Sequence, residues 1–178
     1  AVATPGLALV LGAPRAVPAL IAGAVCLAVA GFLKHSLVVA PVALCLWLAI
    51  WHGRTALWFA MAGILSAGVL YAVFAGAHGA GFLGHLMSAR AYSAAEALRG
   101  TLHWLTKTWP MLLALAWAGW RWRGDGPIMF CAIYAALAVV AGGYFKGGAG
   151  VDQNVFFDAY VACAIGLGLL ASRLPRAR

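Results

Sequence analysis

Residues 55–76 read TALWFAMAGILSAGVLYAVFAG, without one charged side chain. The run is continuously apolar rather than alternating. A transmembrane barrel strand needs alternation, because lipid and lumen lie on opposite faces of it. A continuous apolar run of this length instead fits an α-helix crossing a hydrocarbon core of about 30 Å. The rest of the chain repeats the pattern. Of 178 residues, 65% are hydrophobic and 9% charged, whereas a soluble domain carries about a quarter charged residues. The mean hydropathy is +0.96.

Further apolar runs lie at 16–33, 37–51, 109–120, 128–141 and 155–171. Together they predict an all-α, polytopic transmembrane helical bundle with about six spans. Pro18 falls in the opening turn of the first run, where proline is tolerated. The run at 37–51 is short for a bilayer, which implies local thinning or a partly buried position. Residues 1–14, broken by Pro5, Gly6, Gly12 and Pro14, read as the end of an earlier helix followed by a turn. The expected organisation is a single transmembrane domain over 1–178, the C-terminal segment of a longer membrane protein. Cys26, Cys45, Cys131 and Cys163 all sit inside apolar runs without CxxC or metal-ligand spacing, and read as packing residues.

The formal charge is +8. In a soluble protein that excess would raise nucleic acid as a partner. In a chain of apolar spans it marks the lipid bilayer instead, because basic residues flank spans and set their orientation. Placing connections on alternate sides puts Arg15, Arg54, Arg121, Arg123, Arg173, Arg176 and Arg178 together, in short loops or at the terminus. Lys34, Arg90, Arg99, Lys107 and Lys146 fall opposite. The positive-inside rule makes the arginine-rich side, with the C-terminus, cytoplasmic.

The interval 77–108 is the longest polar one. Within it Ser93-Ala94-Ala95-Glu96 has the capping-box pattern. Leu98, Leu102, Leu105 and Trp109 then recur at helical spacing, with Glu96, Arg99, His103 and Lys107 on another face. An amphipathic helix of this kind lies in the membrane interface and leads into the fourth span. It serves as a lid or platform over a cavity, or simply as a connector. His35, His78, His85 and His103 fall on the same side of the membrane, but no HxxxH or HExxH pattern is present and no metal site is expected. No nucleophile elbow, haem or dinucleotide fingerprint appears, so no cofactor is expected.

One polar island interrupts the apolar pattern. Residues 142–158, GGYFKGGAGVDQNVFFD, hold five glycines, Lys146 and two of the four acids of the chain. Glycines let backbone approach a ligand closely. A phosphate loop is excluded, because that motif sets its lysine after the glycine and before Ser/Thr, after a strand. Lys146 precedes Gly147, and no strand is predicted. Asp152, Gln153 and Asn154 stand where the last span begins, where Asp or Asn caps a helix. Asp158 lies one turn further, on the face of Asn154. An acid at the hydrocarbon edge is costly and is usually functional; it either binds a ligand or is a buried partner of Lys146 or Lys34. Lys34, at the end of the first span, suits a helix C-terminus or the phosphate of a lipid.

Two segments carry a resemblance. Phe32-Leu33-Lys34-His35-Ser36-Leu37-Val38-Val39-Ala40-Pro41 resembles the F-x-K-[QPH]-[ST]…P segment of bacterial polytopic glycosyltransferases of the GT-C fold. Gly150-Val151-Asp152-Gln153-Asn154-Val155-Phe156-Phe157-Asp158 resembles their G-x-[DS]-x-N-[YH]-[FL]-[LF]-[ED] segment. These are relatives of protein O-mannosyltransferases and lipid A aminoarabinose transferases, in the bacterial inner membrane. The sequence departs from the pattern at Gln153, Val155 and Asp158. The resemblance implies an enzyme that takes a sugar from a polyprenyl-phosphate-linked donor on the extracytoplasmic face. Lys34 and Lys146 would then be donor phosphate-binding residues, and His35, Asp152, Gln153, Asn154 and Asp158 would line a polar cavity. The family's catalytic aspartate lies in a first extracytoplasmic loop, whereas no acid precedes Glu96 here, which places that residue outside this segment. The alternative is a non-catalytic multi-pass membrane protein, a lipid-binding subunit or a transporter.

Overall fold

A computed structural model describes residues 2–79, 81 and 91–173, apart from the side chains of residues 35 and 36. Among these residues the chain is all-helical and has no strand. The helices are α1 (Ala3–Gly12), α2 (Val17–Leu33), α3 (Val39–His52), α4 (Thr55–His78), α5 (Ala94–Arg121), α6 (Gly126–Lys146) and α7 (Phe157–Arg173). Short 3-10 turns at His35–Val38 and Gln153–Phe156 lead into α3 and α7. Three helices are long and apolar enough to cross a membrane: Thr55–His78, Gly126–Lys146 and Gln153–Arg173. α1, α2 and α3 are apolar but shorter. The chain forms two compact units, residues 1–90 and 91–178.

In the first unit α1 lies tightly on α2. Gly6 and Gly23 permit this, because a Cβ at Gly23 would come within 2.5 Å of Val10 Cγ2 and 3.0 Å of the Gly6 carbonyl. α2 runs beside α4, where Phe32 and Phe74 stack with ring centroids 5.7 Å apart. Gly53, at a φ of 54° that favours glycine, turns α3 into α4. On α4 itself Phe59 is buried, while Ile64, at 74% exposure, and its apolar neighbours face outward. Against water such a surface is unfavourable by about 25 cal/mol per Å²; against acyl chains it is neutral. A helix apolar on every side, with its outer face uncovered, is a membrane helix.

In the second unit α5, α6 and α7 share a core that includes Leu115, Phe130, Cys131, Ala159 and Cys163. Gly166 brings α7 close, since a Cβ there would meet Leu115 Cδ1 at 2.5 Å and Cys131 Cβ at 3.1 Å. Asp125 has two roles at the other end. Its Oδ1 caps α6 by accepting from the Ile128 N–H at 3.3 Å, and its Oδ2 accepts from Arg173 Nε of α7 at 3.0 Å. All four cysteines carry free thiols inside the apolar helices, as packing residues would.

Three expectations change. The interfacial helix and the fourth span are one helix, α5, which starts at the Ser93 cap and runs through Pro110 to Arg121. The helix of the 128–141 run does not end at the polar island, because α6 continues through Gly142 and Gly143 to Lys146. Those glycines are sites of close packing rather than helix breakers. The last span opens as a 3-10 turn, so the α-helical spacing between Asn154 and Asp158 is not kept.

Candidate functional site

The site is built where α6 ends and α5 begins. Residues 147–151 leave α6 as a turn, with Gly150 at a φ of 71°. Residues 91–93 run antiparallel to it, with a bridge between Tyr92 and Gly148. The Ser93 N–H donates to the Gly147 carbonyl and the Ala149 N–H to the Ala91 carbonyl, both at 2.8 Å. Ser93 then caps α5 by accepting from the Glu96 N–H at 3.3 Å. Two segments that are separated in sequence are thus clamped by main-chain bonds.

Glycine makes this approach possible. A Cβ at Gly147 would stand 2.4 Å from Tyr92 Cε2, and one at Gly143 would stand 3.0 Å from Thr101 Oγ1. Gly100 on α5 serves Lys146 in the same way. Its missing side chain leaves room for the lysine stem, whose Cγ would lie 2.5 Å from an added Cβ. Lys146 reaches along α5 and donates from Nζ to the Val151 carbonyl at 2.5 Å. The ammonium has three donors, so this one bond leaves capacity for an anion.

Between these elements lies a cleft of about 260 Å³, whose walls include Tyr92, Glu96, Lys146, Gly147, Gly148 and Gly150. The backbone N–H groups of Gly147, Gly148, Ala149 and Val151 all donate to backbone carbonyls. With those four amides bonded, Lys146 is the basic side chain in the cleft walls. Glu96 brings a carboxylate to the same cleft and pairs with Arg99 Nη1 at 2.8 Å. Among the described residues, no group of three His, Cys, Asp or Glu stands together as a metal-binding cluster.

Of the seven residues singled out by sequence, Lys146 lines this cleft. Asp152 is exposed and caps the 3-10 turn, accepting from the Gln153 N–H at 2.6 Å. Gln153 is half-buried and Asn154 exposed. Asp158 is 3% exposed, and the Tyr134 hydroxyl of α6 donates to its Oδ1 at 2.5 Å. Lys34 belongs to the first unit, where it ends α2 through a bond from its N–H to the Ala30 carbonyl. The side chain of His35 lies outside the described residues, as does His85.

Three contributors escape the sequence reading. Tyr134 is the partner of Asp158, Gly100 makes room for Lys146, and Tyr92 forms a wall of the cleft. Two of them leave a trace. Tyr134 is the one oxygen-bearing side chain in 128–141, and an isolated glycine inside a helical pattern, as at 100, usually has a packing reason.

The fold and the cleft define a helical membrane protein with a cationic cleft at the end of a membrane-length helix. Comparisons with known protein families, curated proteins and solved structures each return no match.

Proposed function

We propose that this chain is the membrane part of a glycosyltransferase that moves a sugar from a polyprenyl-phosphate donor to an acceptor, and that Lys146 holds the donor phosphate. The observation that carries this is the position of Lys146. It stands at the end of α6, a helix of membrane-crossing length, inside a cleft where the N–H groups of Gly147, Gly148, Ala149 and Val151 are already bonded. A lipid phosphate lies at that depth, where the helix leaves the hydrocarbon. When the glycosidic bond breaks, negative charge grows on the departing phosphate, and a fixed ammonium stabilises it. The general base for the acceptor is not assigned to this chain. The arginine bias of the short connections supports an orientation with the cleft on the extracytoplasmic face and the C-terminus in the cytoplasm, and the resemblance implies that the membrane is a bacterial inner membrane.

The test is transfer of labelled sugar from polyprenyl-phosphate donors by the full-length protein in lipid nanodiscs. A charged hydrogen bond is worth roughly 1.5–3 kcal/mol, so Lys146→Ala should lower donor affinity by about 10- to 100-fold. Undiminished transfer would remove the phosphate role. The alternative is a lipid-binding subunit without catalysis. It predicts binding of polyprenyl phosphate without any transfer.

A further inference from the structure

We propose that the turn between α5 and α6 is a binding site for the headgroup of an anionic phospholipid, with Arg121 and Arg123 holding its phosphate. The site lies at the opposite end of α6 from the Lys146 cleft and is independent of the role given to that lysine. Residues 117–123 read Trp117-Ala118-Gly119-Trp120-Arg121-Trp122-Arg123, three tryptophans and two arginines in seven positions. Trp120 is 73% exposed, and Trp117, one turn earlier, is exposed too. Tryptophan concentrates where acyl chains give way to headgroups, so the arginines that follow stand at phosphate depth. The charges of the chain single these two out. Of its four acids, Glu96 pairs with Arg99, Asp152 caps a turn and Asp158 accepts from Tyr134. Asp125, the acid nearest in sequence, is engaged by the Ile128 N–H and by Arg173. Among the described residues no ion pair holds Arg121 or Arg123. The counter-charge within reach at this depth is lipid phosphate.

The residue type sharpens the ligand. The seven basic residues that the sequence puts on this side of the membrane are all arginine, and the three lysines of the chain fall on the other. Orientation needs no such choice, since lysine and arginine count alike in the positive-inside rule. Phosphate recognition does: a planar guanidinium offers two parallel N–H···O bonds, where an ammonium acts as a point charge. The turn also holds these groups in place. Arg121 lies over the Trp122 ring, 5.5 Å from its centroid, and Trp117 meets the same ring edge-on at 5.3 Å. A cation–π contact needs none of the five N–H donors of the guanidinium. The backbone is fixed by the Trp122 N–H donating to the Ala118 carbonyl and the Asp125 N–H to the Trp122 carbonyl, each at 2.8 Å. Groups set in place before binding lower its ordering cost. A choline lipid carries its own cation against the phosphate, whereas phosphatidylglycerol brings an uncompensated one.

The experiment titrates the full-length protein in mild detergent with phosphatidylglycerol or phosphatidylcholine and reads the affinity of each by native mass spectrometry. A basic residue at an anionic surface contributes about fivefold in affinity, so two should give wild type a preference for phosphatidylglycerol of about 25-fold. Arg121→Gln with Arg123→Gln should abolish the preference while leaving phosphatidylcholine binding as it was, which shows that the protein is still folded. Arg121→Lys with Arg123→Lys keeps both charges but halves the available paired bonds, and should reduce the preference to about fivefold. Lys107→Gln, which removes one charge near the other end of α5, should change nothing. The proposal is overturned by a wild-type preference near one, or by a preference that survives the double glutamine change. It is equally overturned if the double lysine variant matches wild type, or if Lys107→Gln lowers the preference as much as the glutamines do, because either result reduces the site to net charge. Displacement of the lipid by equimolar inorganic phosphate would assign the arginines to a soluble anion and overturn the lipid as ligand.

Discussion

Gly100→Ala separates the stability of the second unit from the geometry of its cleft. A Cβ at position 100 would stand 2.5 Å from Lys146 Cγ, 2.7 Å from Cε and 3.1 Å from Cδ. Carbon contacts are most favourable near 3.5–4.0 Å, so the stem must retreat by about 1 Å along most of its length. The lysine is flexible and yields without moving α5 or α6. Two terms then compete. Alanine for glycine inside a helix gains about 1 kcal/mol. Displacing Lys146 weakens its bond to the Val151 carbonyl, a contact to a charged donor worth roughly 1.5–3 kcal/mol, and less here because the lysine is only half-buried. The terms nearly cancel, so thermal unfolding in detergent should shift by no more than about 1 kcal/mol in either direction. Affinity for polyprenyl phosphate should nevertheless fall about tenfold, because the ammonium has left its place. Both measurements are made on one preparation. If the variant gains the whole helix-propensity increment and binds the lipid as wild type does, Gly100 does not position Lys146.

Four further outcomes follow from the packing. Tyr134→Phe removes a donor from the buried Asp158 carboxylate and should lower stability by about 1–3 kcal/mol; an unchanged melting temperature would mean that the hydroxyl contributes nothing. Gly142→Ala should cost about 1–3 kcal/mol by overpacking, since its Cβ would stand 2.6 Å from Phe156 Cδ1, and that ring is stacked on Trp104 with centroids 4.4 Å apart. Gly68→Ala, with nothing within 4 Å, is the control and should be neutral or stabilising by up to about 1 kcal/mol. Asp125→Ala loses both the α6 cap, about 1 kcal/mol, and the partner of Arg173. It should therefore destabilise more than Arg173→Ala, which loses one partly exposed ion pair of about 0.2–1 kcal/mol; the reverse order would deny the double role of Asp125.

Much of the helical architecture is legible without coordinates. Residues 55–76 announce α4, because an uncharged apolar run of that length has no other economical arrangement in or out of a bilayer. Ser93 announces the start of α5, and Asp152 caps the 3-10 turn ahead of α7, because caps act within a few residues of chain. Pro18 sits in the first turn of α2 as its missing N–H dictates. These are local effects, and local sequence carries them.

The cleft is only half legible. Lys146 stands out in the sequence as a cation among glycines, but the reason for each glycine does not. Gly142, Gly143 and Gly147 look alike in the chain, yet two continue a helix and one closes it. What separates them is the neighbour each touches: Phe156, Thr101 and Tyr92. The same holds for Asp158, whose cost of burial is evident from composition while its donor, Tyr134, lies on another helix. Sequence alone establishes the helices, their apolar character and the scarce charges among them, since propensity, hydropathy and capping depend on neighbours along the chain. Packing between helices establishes which of those charges meet a cleft and which meet a partner, since that depends on contacts between segments far apart in sequence.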